Sequence, residues 1–413
     1  MQNLPSDTLF CLWSHLNRHD ARHFLCLSTH CAVIRHHPQF ASTLRKIWPH
    51  WLYGTPLPQR SAFAGAVTLT MSEQDVLFYV GGELMGHQST DRVYYAKMYD
   101  SQPRQFLPAS ESCPLLAARA LAHDDCPPVA ASHLRTSSSM PAPLVRPYDL
   151  CWYSTMPMGT PRDGLCAISL QHQQQVMVMG GRHTRTILAT TELYDAHRDR
   201  WFPMASMKQQ RDGACVGSVS PDVLYVMGGS PTLGQYTASV ERHDLRTGTW
   251  QSVSPLPRAA SGMGCASWDG SLYVVGGHVS MPSDDRVSTM SHYDIRADRW
   301  DDNGCSPMHM GRSHFGAAFV DGASLQVSYH FPPQWYITGG YPSQHVNGIP
   351  DLGAVERFDF ITKQWEQIES LQREDHASFI GASTFANGAV YAMGGLTKDC
   401  TTMQDTVRVL PLC

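Results

Sequence analysis

Six short apolar runs, each ending in a Gly-Gly pair, recur along this chain of 413 residues. They are LFYVGG at 77–82, VMVMGG at 176–181, LYVMGG at 224–229, LYVVGG at 272–277, WYITGG at 335–340 and VYAMGG at 390–395. The pairs that begin at positions 180, 228 and 276 stand 48 residues apart. Self-similarity at such a period indicates a repeat architecture in which each repeat is one supersecondary unit.

Each repeat carries further landmarks after its glycines. An aromatic or histidine residue precedes an aspartate in five repeats, at Tyr99-Asp100, Tyr194-Asp195, His243-Asp244, Tyr293-Asp294 and Phe358-Asp359. A tryptophan follows in four of them, at Trp201, Trp250, Trp300 and Trp365. The runs between landmarks are short, β-rich and separated by turn residues, which predicts four strands per unit. The sequence therefore predicts an all-β fold, a six-bladed β-propeller.

The Gly-Gly, Tyr-Asp and Trp landmarks at this spacing resemble the kelch repeat. The resemblance extends over residues 46–413 and includes six copies of the Gly-Gly pair. It implies a kelch β-propeller in which every repeat forms one four-stranded blade packed against its two neighbours.

The first repeat lacks a tryptophan close behind its Tyr-Asp pair. Trp152 stands ten residues before an Arg-Asp-Gly motif, as Trp201 does, so Trp152 is predicted to complete the first blade. Residues 101–150 are then an insertion in the last hairpin of that blade, and their Pro, Ser and Ala content predicts disorder. The alternative makes Phe106 the outer aromatic residue and places the insertion between two blades.

The last repeat is too short to supply its own fourth strand, since only the run TVRVLPLC at 406–413 remains for it. Upstream of the first blade, WLYGTPLP at 51–58 matches WQSVSPLP at 250–257. Residues 46–58 are therefore predicted to close blade six, with Trp51 as its outer tryptophan. Such closure removes exposed sheet edges, which otherwise promote aggregation.

Residues 1–45 contain no glycine and place apolar residues at helical spacing. The segment opens with Leu4-Pro5 and continues with Leu9, Trp13 and Leu16. In this it resembles an F-box, a short α-helical segment. The resemblance implies that Leu4, Pro5, Leu9, Trp13 and Leu16 bind a Skp-type linker. An unrelated helical segment that packs on the propeller is the alternative, because forty-odd residues rarely hold a core alone.

Composition limits the expected binding partners and the expected cellular compartment. The formal net charge of −5 argues against a surface that coats nucleic acid. The sequence contains no run of 18 apolar residues, so no membrane span is predicted. No secretory signal is recognised. Cys166, Cys215 and Cys265 are predicted to share one repeated strand position as small buried hydrophobes. The scattered cysteines predict a reducing, cytoplasmic or nuclear setting.

Arginines recur before the first strand of the blades, at Arg162, Arg211, Arg258, Arg312 and Arg373. The residue after Gly-Gly forms a second recurrent position, occupied by Glu83, Arg182, Ser230, His278 and Tyr341. The kelch resemblance implies that both positions face a shared substrate pocket at one end of the ring. Convergent guanidinium groups there would select an acidic or phosphorylated peptide. In the alternative, the arginines hydrogen-bond carbonyl groups between blades.

The two resemblances together imply a substrate adaptor of a cullin–RING ubiquitin ligase of the SCF type. The F-box-like segment would bind the Skp-type linker and through it the cullin, and the propeller would bind the substrate protein. We find no nucleophile–base constellation and no metal-ligand spacing, so neither catalysis nor a cofactor is expected. The alternatives are a kelch scaffold unconnected to ubiquitin and a carbohydrate-active or metal-dependent kelch enzyme.

Overall fold

The computed structural model describes residues 51–71, 74–98, 150–279, 285–302, 304–321, 332–343, 353–368, 370–371, 377–379, 381–397 and 402–412. The F-box-like segment at 1–45, nearly all of the 101–150 insertion and Arg373 lie outside these residues. The domain division at 45/46 therefore stays a prediction. In the described part of the chain, no helix is long and apolar enough to cross a membrane.

The described residues form 34 short strands and one 3-10 turn at Gln171–Gln173. The strands up to the third blade are β1 (Leu52–Tyr53), β2 (Gly65–Met71), β3 (Gln74–Val80), β4 (Glu83–Leu84), β5 (Gln88–Ser89), β6 (Val93–Met98), β7 (Leu150–Ser154), β8 (Cys166–Leu170), β9 (Gln175–Met179), β10 (Arg182–His183), β11 (Thr186–Ile187), β12 (Thr191–Asp195), β13 (Arg200–Met204), β14 (Cys215–Ser220), β15 (Val223–Met227), β16 (Val240–Asp244) and β17 (Thr249–Val253). The remaining strands are β18 (Ala260–Ser261), β19 (Gly264–Trp268), β20 (Ser271–Val275), β21 (His278–Val279), β22 (Met290–Asp294), β23 (Arg299–Asp301), β24 (Arg312–Ser313), β25 (Gly316–Val320), β26 (Gln334–Thr338), β27 (Tyr341–Pro342), β28 (Val355–Asp359), β29 (Gln364–Ile368), β30 (Ala377–Phe379), β31 (Ala382–Ala386), β32 (Ala389–Met393), β33 (Leu396–Thr397) and β34 (Val407–Pro411).

Six four-stranded antiparallel sheets form the blades, which confirms the predicted six-bladed all-β propeller. From the inner strand outward they are β2-β3-β6-β7, β8-β9-β12-β13, β14-β15-β16-β17, β19-β20-β22-β23, β25-β26-β28-β29 and β31-β32-β34-β1. Two-stranded pairs such as β4-β5 and β10-β11 lie beside the Gly-Gly turns. Apolar clusters between neighbouring sheets make up the core.

Blade six takes its outer strand from before blade one. Strand β1 pairs with β34, so that Leu52 lies opposite Val409. The backbone N–H of Gly54 donates to the Val407 carbonyl at 2.8 Å. Trp51 is buried in the cluster that contains Leu410. The ring is therefore closed by pairing the two ends of the described chain in one sheet.

A tryptophan on the outer strand joins each of blades one to five to the preceding blade. Its indole Nε1 donates to a carbonyl in the segment that follows the preceding outer strand, at 2.8–3.3 Å: Trp152 to Thr55, Trp201 to Met156, Trp250 to Ala205, Trp300 to Ser254 and Trp365 to Ser306. Trp152 lies opposite Ala96 on the neighbouring strand, as Trp201 lies opposite Tyr194. It is thus the equivalent residue of the first blade, and residues 99–149 connect β6 to β7.

The Gly-Gly pair is required because the backbone of the next blade passes directly over it. The N–H of the second glycine donates to a carbonyl of the following blade at 2.7–3.0 Å, in the pairs Gly82–Arg162, Gly181–Arg211, Gly229–Ala260, Gly277–Arg312 and Gly395–Ser61. Both glycines of each of these pairs have positive φ. A Cβ on Gly180 would lie 2.5 Å from the Arg211 carbonyl oxygen. The last pair joins blade six to blade one.

The cysteine prediction needs one correction. Cys166 lies opposite Met179 and Cys215 opposite Met227, which is the same blade position. Cys265 lies one residue further along, because Gly264 takes the equivalent place opposite Val275. All three cysteines are free thiols in the structure.

Gly180→Ala should destabilise the propeller by on the order of 3 kcal/mol. The new Cβ would clash with the Arg211 carbonyl oxygen, and alanine is strained at the positive φ of this position. Gly304→Ala is the matched control, since no atom lies within 4 Å of a Cβ at that position. Urea unfolding of both variants measures the difference. Equal stability of the two variants would contradict the structural reason given for the glycine pair.

Candidate functional site

A collar of backbone hydrogen bonds surrounds the channel where the inner strands begin. The N–H of Gly164 donates to Phe63 O, Gly213 to Gly164 O, Gly262 to Gly213 O and His314 to Gly262 O, at 2.7–2.9 Å. All five residues have positive φ, between 53° and 67°. These four hydrogen bonds link blades one to five in series, and three of the five collar residues are glycines without a side chain to fill the channel.

A cavity of about 200 Å3 opens above this collar. It is lined by Phe63, Asp163, Gly164, Arg182, Asp212, His278, Arg286, His314 and Tyr341, which we call the mouth. A second cavity of about 210 Å3 runs below, among the small residues of the inner strands. Phe63 and His314 line both cavities, so their side chains divide the mouth from the channel.

His314 is held in this dividing position by ring contacts. Its imidazole meets Phe63 and Tyr341 edge to face, with centroids 5.9 and 6.0 Å apart. It also covers Gly262, where a Cβ would lie 2.6 Å from the ring. Burial, helped by the nearby positive charges, lowers the pKa of His314 to about 4, so the ring is neutral at pH 7.

One side of the mouth is acidic. Arg182 donates to Asp163 through Nη2 at 2.8 Å and through Nε at 3.2 Å, and it lies 3.6 Å from Glu83. Ser89 donates a further hydrogen bond to Asp163 at 2.6 Å. The pKa of Asp212 is raised to about 7, chiefly by burial; the charges of Asp163 and Glu83 also raise it, and Arg182 opposes them. Three carboxyl groups thus share one guanidinium group.

The other side of the mouth carries His278, Arg286 and His314. The Tyr236 hydroxyl lies 2.7 Å from His278 Nδ1, which fixes the orientation of that ring. The Nε atom of Arg286 is buried and has no hydrogen-bond partner within the described residues. This side therefore presents donors and positive charge to the cavity.

Three of the arginines predicted for a substrate pocket lie inside the blades. Arg162, Arg211 and Arg312 are at most 1% exposed. Each donates from Nη1 to two carbonyls of its own blade, one of them in the Gly-Gly turn. Each also forms an ion pair with a buried glutamate at 2.5–2.9 Å, in the pairs Arg162–Glu192, Arg211–Glu241 and Arg312–Glu356. Their guanidinium groups do not line the mouth.

Arg258, a further member of the predicted set, also lies away from the mouth. Arg258 is exposed and stands 3.5 Å from Asp302. It is not the equivalent of Arg162, because Ala260 supplies the carbonyl that accepts from the preceding Gly-Gly pair. Arg373 is outside the described residues. Of the five predicted arginines that the structure describes, only Arg182 lines the mouth, so these five do not converge there.

The position after Gly-Gly was the better sequence signal for the site. Arg182, His278 and Tyr341 all occupy it and all line the mouth. Sequence analysis missed Asp163 and Asp212 as site residues, although both stand in a repeated Arg-Asp-Gly motif. Their role depends on the collar, because each directly precedes a collar glycine and lines the cavity there, whereas Ser261 before Gly262 does not.

The sequence also contained a signal for the arginine–glutamate pairs. Glutamate stands second in the third strand of the three blades that carry the buried arginine. In blade four the arginine position is Ala260, and Ser291 replaces the glutamate. The arginine position before the first strand and the glutamate position in the third strand therefore change together from blade to blade. Among the described residues, no group of three or more His, Cys, Asp or Glu side chains is placed to hold a metal ion.

The repeated blade, the Gly-Gly turns and the collar define a six-bladed propeller built from sequence repeats. Residues 164–395 match the family model described as the KLHDC2/KLHL20/DRC7 Kelch-repeats domain, which is more than half of the chain. The chain therefore belongs to the kelch-repeat family. The match does not include residues 1–45.

Curated relatives align over about half of this chain. Alpha-scruin of Limulus polyphemus is 26% identical over 240 residues, which are 54% of this chain and 24% of that protein. Kelch-like protein 36 of Rattus norvegicus is 27% identical over 218 residues, 52% and 32% of the two chains. Kelch-like protein 23 of Homo sapiens is 26% identical over 222 residues, which are 53% of this chain and 35% of that protein. The chain thus spans about a quarter to a third of the length of these relatives.

Arg211→Ala should destabilise the propeller by about 3–5 kcal/mol, because Glu241 would stay buried without its cation. Adding Glu241→Ser copies the residue pair of blade four, Ala260 with Ser291, and should recover much of the loss. Arg258→Ala is the matched control and should change the free energy of unfolding by less than about 1 kcal/mol, since its ion pair is exposed. Chemical denaturation of the four proteins measures these differences.

Asp212→Asn should stabilise the protein at pH 8 by on the order of 2 kcal/mol and leave it unchanged at pH 4. The folded-state pKa of about 7 lies above the ordinary 3.8, so wild-type stability falls as pH rises from 4 to 7. Asn removes that loss while keeping the shape of the side chain. Unfolding at several pH values measures the difference, and subtraction of the two curves cancels the opposite contribution of His314. A difference independent of pH would show that Asp212 has an ordinary pKa.

Proposed function

We propose that this protein is a protein-interaction adaptor whose propeller binds a partner protein at the mouth. The observation that carries the proposal is the convergence of Arg182, His278 and Tyr341, from the Gly-Gly turns of three blades, on one open cavity. Elsewhere the polar groups repeated from blade to blade bind neighbouring blades or their own sheet. The kelch-like relatives support a role in protein interaction rather than catalysis.

The rim of the mouth supports a protein as the ligand. The strand pairs and turns that follow the Gly-Gly pairs project at this end of the ring. Met85 and Leu233, at the tips of two of these turns, are 58% and 62% exposed. Exposed large apolar side chains beside a polar cavity are typical of a surface that contacts another protein.

The N-terminal segment connects the proposal to a ubiquitin ligase. Residues 1–45 resemble an F-box through Leu4-Pro5, Leu9, Trp13 and Leu16. We propose that this segment binds a Skp-type linker and through it a cullin, so that the mouth presents its partner for ubiquitination. The protein would then be a substrate adaptor of an SCF-type ligase.

The double change Leu4→Ala and Pro5→Ala should abolish copurification of the linker and cullin, because binding hot spots lose about 2 kcal/mol or more on truncation. The propeller should stay folded, since its described core begins at Trp51. Affinity purification from a competent lysate, with immunoblots for linker and cullin, measures the loss. Circular dichroism melting checks the fold.

Tyr341→Ala is the matched variant that tests partner binding at the mouth. It should keep the linker and lose partner proteins that wild type retains, compared by mass spectrometry of the copurified material. If wild type retains neither linker nor cullin, the ligase role fails and a kelch scaffold unconnected to ubiquitin takes its place. Partner capture that survives Tyr341→Ala would exclude the mouth as the binding surface.

A further inference from the structure

The mouth has two sides of opposite charge, and this restricts the ligand that it can take. Blades two and three contribute Asp163 and Asp212 to one side, together with Arg182, and the buried Glu83 of blade one lies 3.6 Å from Arg182. The opposite side presents His278 and Arg286. A purely anionic ligand would meet the carboxyl groups of Asp163 and Asp212, and a purely cationic ligand would meet Arg286.

Asp212 is the acidic group with charge left to share. Arg182 gives its close ion pair to Asp163 and lies next to Glu83. Within the described residues, Asp212 takes part in no ion pair, although it lines the cavity. Its Oδ1 is held against Gly164, where a Cβ would lie only 1.9 Å away. The carboxylate is therefore fixed in place and open to a cation from the cavity side.

Arg286 supplies the matching group on the other side. Its Nε atom is buried without a hydrogen-bond partner among the described residues, so a ligand that accepts hydrogen bonds would remove a desolvation cost. A guanidinium group binds a carboxylate through two parallel hydrogen bonds. The neutral His314 ring on the same side adds no competing charge.

We propose that the mouth binds a partner segment that places a Lys or Arg side chain against Asp212 and a carboxylate against Arg286. The inference rests on the proposed function, since it takes the mouth as the partner-binding surface. The segment also carries apolar residues on either side of the basic one, because Met85 and Leu233 stand at the turns of blades one and three, which flank the acidic side. It differs from the acidic or phosphorylated peptide that the arginine repeat predicted.

A peptide library tests this directly. Full-length protein is immobilised and offered pools with Arg, Lys, Ala, Glu or phosphoserine fixed at the centre and other positions randomised. Wild type should enrich the Arg and Lys pools over the Ala pool, with Asp or Glu selected at a nearby position. Asp212→Asn should lower the Arg and Lys enrichment by about 30-fold or more, as expected for loss of one partner of a buried charge pair. Arg286→Gln should remove the acidic selection and keep the basic one.

Two comparisons make the result decisive. Asp222→Asn removes an exposed carboxylate away from the mouth and should leave all enrichments unchanged. Enrichment of the Glu or phosphoserine pool by wild type, equal enrichment by wild type and Asp212→Asn, or no enrichment of any pool would each overturn the inference. None of these outcomes touches linker copurification or the Tyr341→Ala comparison, so failure of this inference and failure of the proposed function are distinguishable.

Discussion

The close approach of neighbouring blades at the Gly-Gly turns is the constraint on which the rest of the structure depends. One carbonyl of the following blade accepts a hydrogen bond from the second glycine and leaves no room for a Cβ on the first. The same contact occurs between Gly395 and Ser61, so it also closes the ring. Because a propeller blade cannot bury both its faces alone, this short contact sets how closely adjacent sheets pack.

That packing decides which polar groups remain for binding. The indole N–H groups of the outer strands and the Nη groups of Arg162, Arg211 and Arg312 bind carbonyls and carboxylates of the ring itself. Charges held in this way keep the turns in place and are not available to a ligand. The collar then brings the residues next to it into one cavity, where Asp212 and Arg286 keep unsatisfied capacity. Neighbouring residues thereby differ in environment: Arg211 is buried in an ion pair with Glu241, and Asp212 lines the cavity.

A mouth of mixed charge with an apolar rim suits a protein ligand better than a small anion or a nucleic acid. It offers complementary charges that fix orientation, and exposed side chains such as Met85 that contribute apolar area. Arg182, His278 and Tyr341 stand in short strands directly after the Gly-Gly turns, so little conformational entropy is lost when these side chains bind. Under the proposed function, the N-terminal segment recruits the linker while the mouth holds the partner protein.

The sequence by itself determined the fold, because glycine pairs, outer tryptophans and their spacing recur wherever the blade geometry requires them. It also determined the closing strand, through the match of residues 51–58 to 250–257. Only the tertiary structure decided which recurrent polar residues face solvent. Arg162 and Arg182 are both arginines at repeated positions, but one is buried against Glu192 and the other lines the mouth. Burial of a side chain depends on the packing of the neighbouring blade, and that packing is a property of the closed ring rather than of any single repeat.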